Sequence, residues 1–138
     1  MSTNKVTVEQ FYVDNASHLG LRLLAGANGL KRTIKEPTVN RPGLALSGFT
    51  KYFASKRLQA LGAAEVTYLK TLSADERAKR YAEVCRHRIP CFVFSRNLKP
   101  DKEFVRAAEK ADIPVFRCPL ITMKFISRKI MWSINRNL

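Results

Sequence analysis

Residues 89–116, Ile89-Pro90-Cys91-Phe92-Val93-Phe94-Ser95-Arg96-Asn97-Leu98-Lys99-Pro100-Asp101-Lys102-Glu103-Phe104-Val105-Arg106-Ala107-Ala108-Glu109-Lys110-Ala111-Asp112-Ile113-Pro114-Val115-Phe116, decide the fold. Ile89 to Phe94 is an unbroken apolar run with β-branched and aromatic residues, the signature of a buried strand. Proline stands second, where a missing amide is tolerated. Lys99-Pro100-Asp101 then caps a helix with Phe104, Ala107, Ala108 and Ala111 on one side, and Ile113 to Phe116 repeats the strand design. Ile89–Ala111 and Ile113–Leu138 therefore read as successive β-then-α units. Strands alternating with amphipathic helices predict an α/β fold in three layers, a small mixed or mostly parallel sheet flanked by helices.

Working back toward the amino terminus, Ser73-Ala74-Asp75-Glu76 is a capping box, in which two side chains satisfy free amides at a helix start. The helix it opens is expected to bury Ala78, Tyr81, Ala82 and Cys85. Arg57 to Gly62 reads as a strand, and Ala63 to Leu72 as a helix with Val66, Leu69 and Leu72 inward. Val6 to Leu19 is a helix ended by Gly20, Leu21 to Ala25 a strand, Gly26 to Gly29 a turn, and Lys31 to Glu36 a second short strand stopped by Pro37. Val39 to Phe53 lacks a clear period and reads as a structured loop around Asn40-Arg41-Pro42-Gly43. Toward the carboxyl end, Thr122 to Asn135 is a helix with Ile126, Ile130 and Ile134 on one face and Phe125 and Trp132 on another. Its apolar surface is wider than docking on one sheet requires: the helix is either buried on two sides or a junction helix facing a second partner, and the second reading is favoured.

The 138 residues suit a single domain, and the 46% apolar share argues against global disorder. Lys and Arg number 25 against 11 Asp and Glu, a net charge of +14. That charge speaks to the sign of a partner and not to the fold. It fits a nucleic-acid, phosphate or acidic-protein partner and equally well a set of solvated basic faces. The three cysteines, Cys85, Cys91 and Cys118, form neither a paired framework nor a metal spacing. With no signal peptide in view, they point to a reducing cytoplasm. No stretch approaches the ~20 continuous apolar residues of a membrane span.

Catalytic signatures are missing. No G-x-x-x-x-G-K-[ST] loop cradles a phosphate, no G-x-G-x-x-G exists, and His18 and His87 have no second ligand at metal spacing. Basic residues are spread over every segment without a reader motif, which disfavours nucleic acid except as non-specific electrostatic binding.

Several motifs together resemble the N-terminal domain of bacterial HPr kinase/phosphorylase. They are Asn40-Arg41-Pro42-Gly43-Leu44-Ala45-Leu46-Ser47-Gly48-Phe49, then Arg57 to Leu69 (RLQALGAAEVTYL), Ile89-Pro90-Cys91, Ala107 to Val115 (AAEKADIPV), Ile121-Thr122-Met123 and Ile126-Ser127-Arg128. The likeness runs in order from Val6 to Ile130. It implies a fold similar to the N-terminal domain of Mur ligases. It also implies a parent enzyme that phosphorylates and dephosphorylates a serine of the phosphocarrier HPr in carbon catabolite regulation. ATP, magnesium, the phosphate loop and the catalytic histidine belong in that family to a C-terminal kinase domain. The expectation is thus a single domain, 1–138, with 120–138 as a junction helix toward an absent C-terminal domain, no catalytic residue and no cofactor in this chain.

On this reading the chain is a non-catalytic regulatory or assembly domain. Its partners are the C-terminal kinase domain and HPr, and self-association follows from the hexamer the family forms. The candidate interaction surface is Asn40, Arg41, Arg57, Gln59 and Arg96. Asn40, Pro42 and Gly43 are equally well explained as turn formers. A turn does not require the guanidinium of Arg41, which suits a phosphate or carboxylate contact. Two alternatives stand beside this: a stand-alone ligand-sensing or protein-interaction module, and a non-specific nucleic-acid binder. The high positive charge and the Met131-Trp132 segment depart from the family pattern.

Overall fold

The computed structural model describes residues 6–121 and Lys124, so the junction helix expected over 120–138 lies almost wholly outside the described residues. Thirteen short elements can be followed. β1 (Val6–Thr7) leads into α1 (Val8–Leu19), followed by β2 (Arg22–Ala25), a single 3-10 turn (Ala27–Gly29), β3 (Thr33–Ile34), β4 (Val39–Asn40) and α2 (Gly43–Leu46). Then come β5 (Leu58–Leu61), α3 (Ala63–Lys70), α4 (Ala74–Cys85), β6 (Phe92–Phe94), α5 (Lys102–Ala111) and β7 (Val115–Arg117). Five strands form one sheet in the order β2-β7-β6-β5-β4; β4 to β7 run parallel and β2 lies antiparallel on β7. β1 and β3 form a separate antiparallel ribbon.

The strand alternation sorts the core into two layers, as the period of two demands. Phe92, Phe94, Leu61 and Val115 point to one face, where they meet Leu69, Tyr81, Val84, Phe104 and Ala108 of α3, α4 and α5. Val93, Leu58, Ala60 and Phe116 point to the other, where α1 brings Val8, Phe11 and Leu19 and the ribbon brings Val6 and Ile34. Phe104 is the hub of the first layer, with Tyr81, Phe92 and Phe94 edge-on at ring centroids 4.8–4.9 Å apart. The three-layer α/β arrangement and its mixed sheet are those expected.

Local signals set the boundaries. Ser73 Oγ accepts from the Glu76 N–H, and Asp101 Oδ1 accepts from the Phe104 N–H, closing the starts of α4 and α5. Gly20 ends α1 in the left-handed region at φ 68°. Gly26 and Gly29 serve a different need. A Cβ at Gly26 would stand 2.0 Å from the Ile113 carbonyl oxygen and one at Gly29 1.9 Å from that of Asp112, so the turn after β2 rests on the α5–β7 link backbone to backbone.

Four readings need correction. Val6 and Thr7 are strand, not helix: Thr7 caps α1 by accepting from the Gln10 N–H. Val39 to Phe53 is not all loop, because β4 pairs with β5 and α2 follows it. β6 and β7 begin two to three residues later than their apolar runs, since Pro90 and Pro114 have no amide for a ladder. On α4, Ala78 and Ala82 are exposed while Tyr81 and Val84 are buried. The inward stripe passes through Arg77 and Arg80 instead. Arg77 Nη2 donates to Glu103 Oε1 and its Nη1 to the Leu72 carbonyl; Arg80 Nε donates to Glu76 and its Nη1 to the Leu46 carbonyl. These bonds hold both guanidinium groups inward, and Arg77 Nε, buried without a hydrogen bond of its own, lies 3.3 Å from Asp101 Oδ2.

Candidate interaction site at the carboxyl edge of the sheet

The parallel strands β4 to β7 all end on one edge of the sheet. At its β4 corner Asn40, Arg41, Pro42 and Gly43 turn the chain into α2, and the residues after α2 return past them before β5. Between this turn, the 49–54 segment and the start of α3 lies a cleft of about 640 Å³.

Its floor is a hydrogen-bonded frame. Gln59 is fully buried in β5; its Oε1 accepts from Asn40 Nδ2 at 2.7 Å, and its Nε2 donates to the Ala54 and Arg57 carbonyls at 2.8 Å each. One side chain thereby fastens β4 to the last residues of the returning segment, leaving none of its own polar atoms unmet. Arg41 forms a fork on Glu65, Nη2 to Oε1 at 2.8 Å and Nε to Oε2 at 3.1 Å. Glu65 Oε1 also accepts from the Gly62 N–H at 2.8 Å, closing the start of α3. The carboxylate that Arg41 grips therefore belongs to its own chain.

The rim has another character. Tyr52 is 88% exposed, Leu44 70% and Phe49 51%; these are three of the six exposed large hydrophobic residues among the described residues, and all three line this cleft. Tyr52 sits at φ 64°, a left-handed conformation that costs a non-glycine residue about 1 kcal/mol or more. Lys51 places its ammonium 5.4 Å from the Tyr52 ring centroid. The cleft is thus a rigid polar floor, with an ion pair across it, under an apolar and basic lip. It offers no nucleophile beside a base. No three His, Cys, Asp or Glu side chains converge among the described residues, and none of their helices is long and apolar enough to cross a membrane.

The five sequence candidates do not share one place. Asn40 and Arg41 line the cleft, and Gln59 is bonded to Asn40 beneath it. Arg57 lies at the opposite edge of the sheet, its Nε donating to Glu36 at 2.7 Å. Arg96 follows β6 at φ 56° with its N–H on the Leu120 carbonyl, an exposed residue that does not line the cleft. The sequence reading missed Lys51, Tyr52 and Glu65. An aromatic beside a lysine, in a segment without helix or strand period, was the available signal for the first two. Glu65 enters the sequence reading only within the family motif, and nothing local marks it as the partner of Arg41, 24 residues away.

The family model described as HPr Serine kinase N terminus matches residues 6–132. HPr kinase/phosphorylase of Listeria monocytogenes serotype 4a (strain HCC23) is 42% identical over 122 residues, which cover 88% of this chain and 38% of that protein. The HPr kinase/phosphorylase of Chloroherpeton thalassium is 38% identical over 123 residues, 88% of this chain and 36% of that protein. The chain thus spans little more than a third of the length of these curated relatives. Among solved structures, the CBS and DRTGG domains of the regulatory region of Clostridium perfringens pyrophosphatase, complexed with the activator diadenosine tetraphosphate, are similar. That match has a TM-score of 0.60 and 15% identity, and covers 94% of this chain and 50% of that one. At that identity the likeness concerns the fold alone.

Proposed function

The chain belongs to the HPr serine kinase N-terminal family, and from that premise we propose that it is a non-catalytic regulatory and assembly domain whose carboxyl-edge cleft docks a protein partner. The full-length protein would phosphorylate and dephosphorylate a serine of HPr in the bacterial cytoplasm. ATP and magnesium would be held by a kinase domain that follows this one. No step of phosphoryl transfer is assigned to the described residues, which present neither a phosphate loop nor converging metal ligands.

The observation that carries the proposal is the gathering of Leu44, Phe49 and Tyr52 on one lip. Exposed apolar residues scattered singly mean little, but a rimmed group of them marks a contact surface. Aromatic anchors beside a buried polar frame are what interface hot spots are built from. The frame keeps the lip in place without partner-induced ordering, which lowers the entropic cost of docking. The partner this surface fits best is the kinase domain, with HPr as the second candidate.

The test is capture in trans. The immobilised chain should retain a separately produced kinase domain, and Phe49→Asp with Tyr52→Glu should abolish retention while leaving the circular-dichroism spectrum unchanged. Retention that survives both substitutions would move the contact elsewhere, and no retention of either the kinase domain or HPr would refute the proposal.

A further inference from the structure

At the amino edge of the same sheet, next to the first cleft along the 53–56 segment, lies a second hollow of about 400 Å³. Arg32, Thr33, Lys35, Ser55, Lys56 and Arg88 line it together with Ile89 and Pro90. Four cations and two hydroxyls converge there from three separate segments, and no acidic residue lines the hollow. The neighbouring acid Glu36 is engaged by Arg57 at 2.7 Å.

Arg32 forms the fixed part. Its Nη1 donates to the Ile89 carbonyl at 3.1 Å, its Nε to that of Asp112 and its Nη2 to that of Ala111, both at 2.6 Å. Neutral carbonyls hold the guanidinium still without cancelling its charge, although the two at the end of α5 offset part of it. Lys35, Lys56 and Arg88 make no ion pair with any described residue. Phe53 packs edge-on to His87 with ring centroids 5.1 Å apart, and so fixes the segment bearing Ser55 and Lys56 against the one bearing Arg88. Four like charges brought together by tertiary structure repel one another, and an anion between them relieves that cost.

We propose that this hollow binds a compact polyanion carrying phosphate groups, with Lys35, Lys56 and Arg88 contacting its oxygens, Ser55 and Thr33 donating hydroxyl hydrogens, and Arg32 supplying fixed positive charge beneath. The hollow shares no lining residue with the docking surface, although the 53–56 segment borders both. Its volume and its convergence of cations on one point favour a short ligand over a polymer tracked along a groove.

Calorimetric titration of the 138-residue chain with inorganic tripolyphosphate at 150 mM salt tests this. One saturable site is expected. Lys56→Ala with Arg88→Ala should weaken it about tenfold or more, through two lost charge-assisted contacts, whereas Lys79→Ala with Lys102→Ala, exposed positions elsewhere, should leave the affinity unchanged. All four positions are exposed, and matching thermal midpoints would show that the variants fold. Three results would overturn the proposal: no saturable binding, equal weakening in both double variants, or binding only to RNA with an affinity that grows with its length.

Discussion

Replacing Arg41 by alanine separates a clamp from a ligand-binding arginine. The substitution removes both arms of the fork and leaves Glu65, 6% exposed, with the Gly62 N–H as its remaining hydrogen-bond donor. Breaking a fully buried pair costs about 3–5 kcal/mol and an exposed one about 0–1. Arg41 is 39% exposed, so one end of the pair is wet. The position of Glu65 in the first turn of α3, near the positive end of the helix, also keeps its charge partly stabilised. Between these limits the expected loss is about 2 kcal/mol. With a urea m-value of about 2 kcal/mol/M, the midpoint should fall by about 1 M at constant m. Glu65→Gln keeps an acceptor for Gly62 and removes the charge, so the cycle through Arg41→Ala and Glu65→Gln should show a coupling of about 1 kcal/mol. The coupling should persist in 0.5 M salt, because the carboxylate is shielded from solvent ions. A midpoint shift below about a quarter of that value, with zero coupling, would refute the clamp. If such a variant also lost partner capture, Arg41 would be a contact residue and the ion pair incidental.

Asp101→Ala should cost about 2 kcal/mol and lower Tm by about 6 °C in calorimetry, because Asp101 both caps α5 and accepts the Tyr81 hydroxyl at 2.7 Å; Asp101→Asn should lose less. Gly26→Ala should destabilise by about 3 kcal/mol or more or prevent folding, since φ is 77° and the Ile113 carbonyl already occupies the space, whereas Gly43→Ala, with nothing within 4 Å, should be nearly neutral in the same denaturation series. Burial pushes the Cys85 thiol from 9.0 up to about 12. The raised value means that the folded state holds this proton more tightly, so its stabilisation is complete below pH 9 and is lost as pH rises from 9 toward 12. Urea midpoints measured from pH 8 to 11 should fall less steeply in Cys85→Ala than in the parent.

How much was legible in the sequence varied with the range of the interaction involved. Ser73, Asp101 and Gly20 act within a few residues of themselves, so their roles at the ends of α4, α5 and α1 could be read directly. The apolar runs before Phe94 and Phe116 are buried on both faces of the sheet, and a strand with no solvent side announces itself by composition. These features establish the α/β class and most of its order. The face of α4 was misread because its alanines score as apolar and its arginines as polar. The partners that let Arg77 and Arg80 lie inward, Glu103 and the Leu46 carbonyl, are 26 and 34 residues away. β4 was missed because two residues carry no period; pairing with β5 alone makes them a strand.

The same division runs through the sites. The sequence singled out Asn40, Arg41 and Gln59, and tertiary structure showed that they brace one another or Glu65. Nothing local marks Tyr52 as an outward aromatic, or Lys35, Lys56 and Arg88 as neighbours. By itself the sequence determined the layered α/β class and the caps at Ser73, Asp101 and Gly20, because propensity, capping and apolar period act over a few residues, and its motifs carried the likeness to the HPr kinase N-terminal family. Only the tertiary structure decided which charges are spent on ion pairs and which face solvent in a hollow, because Coulomb interactions depend on distances that chain order does not set.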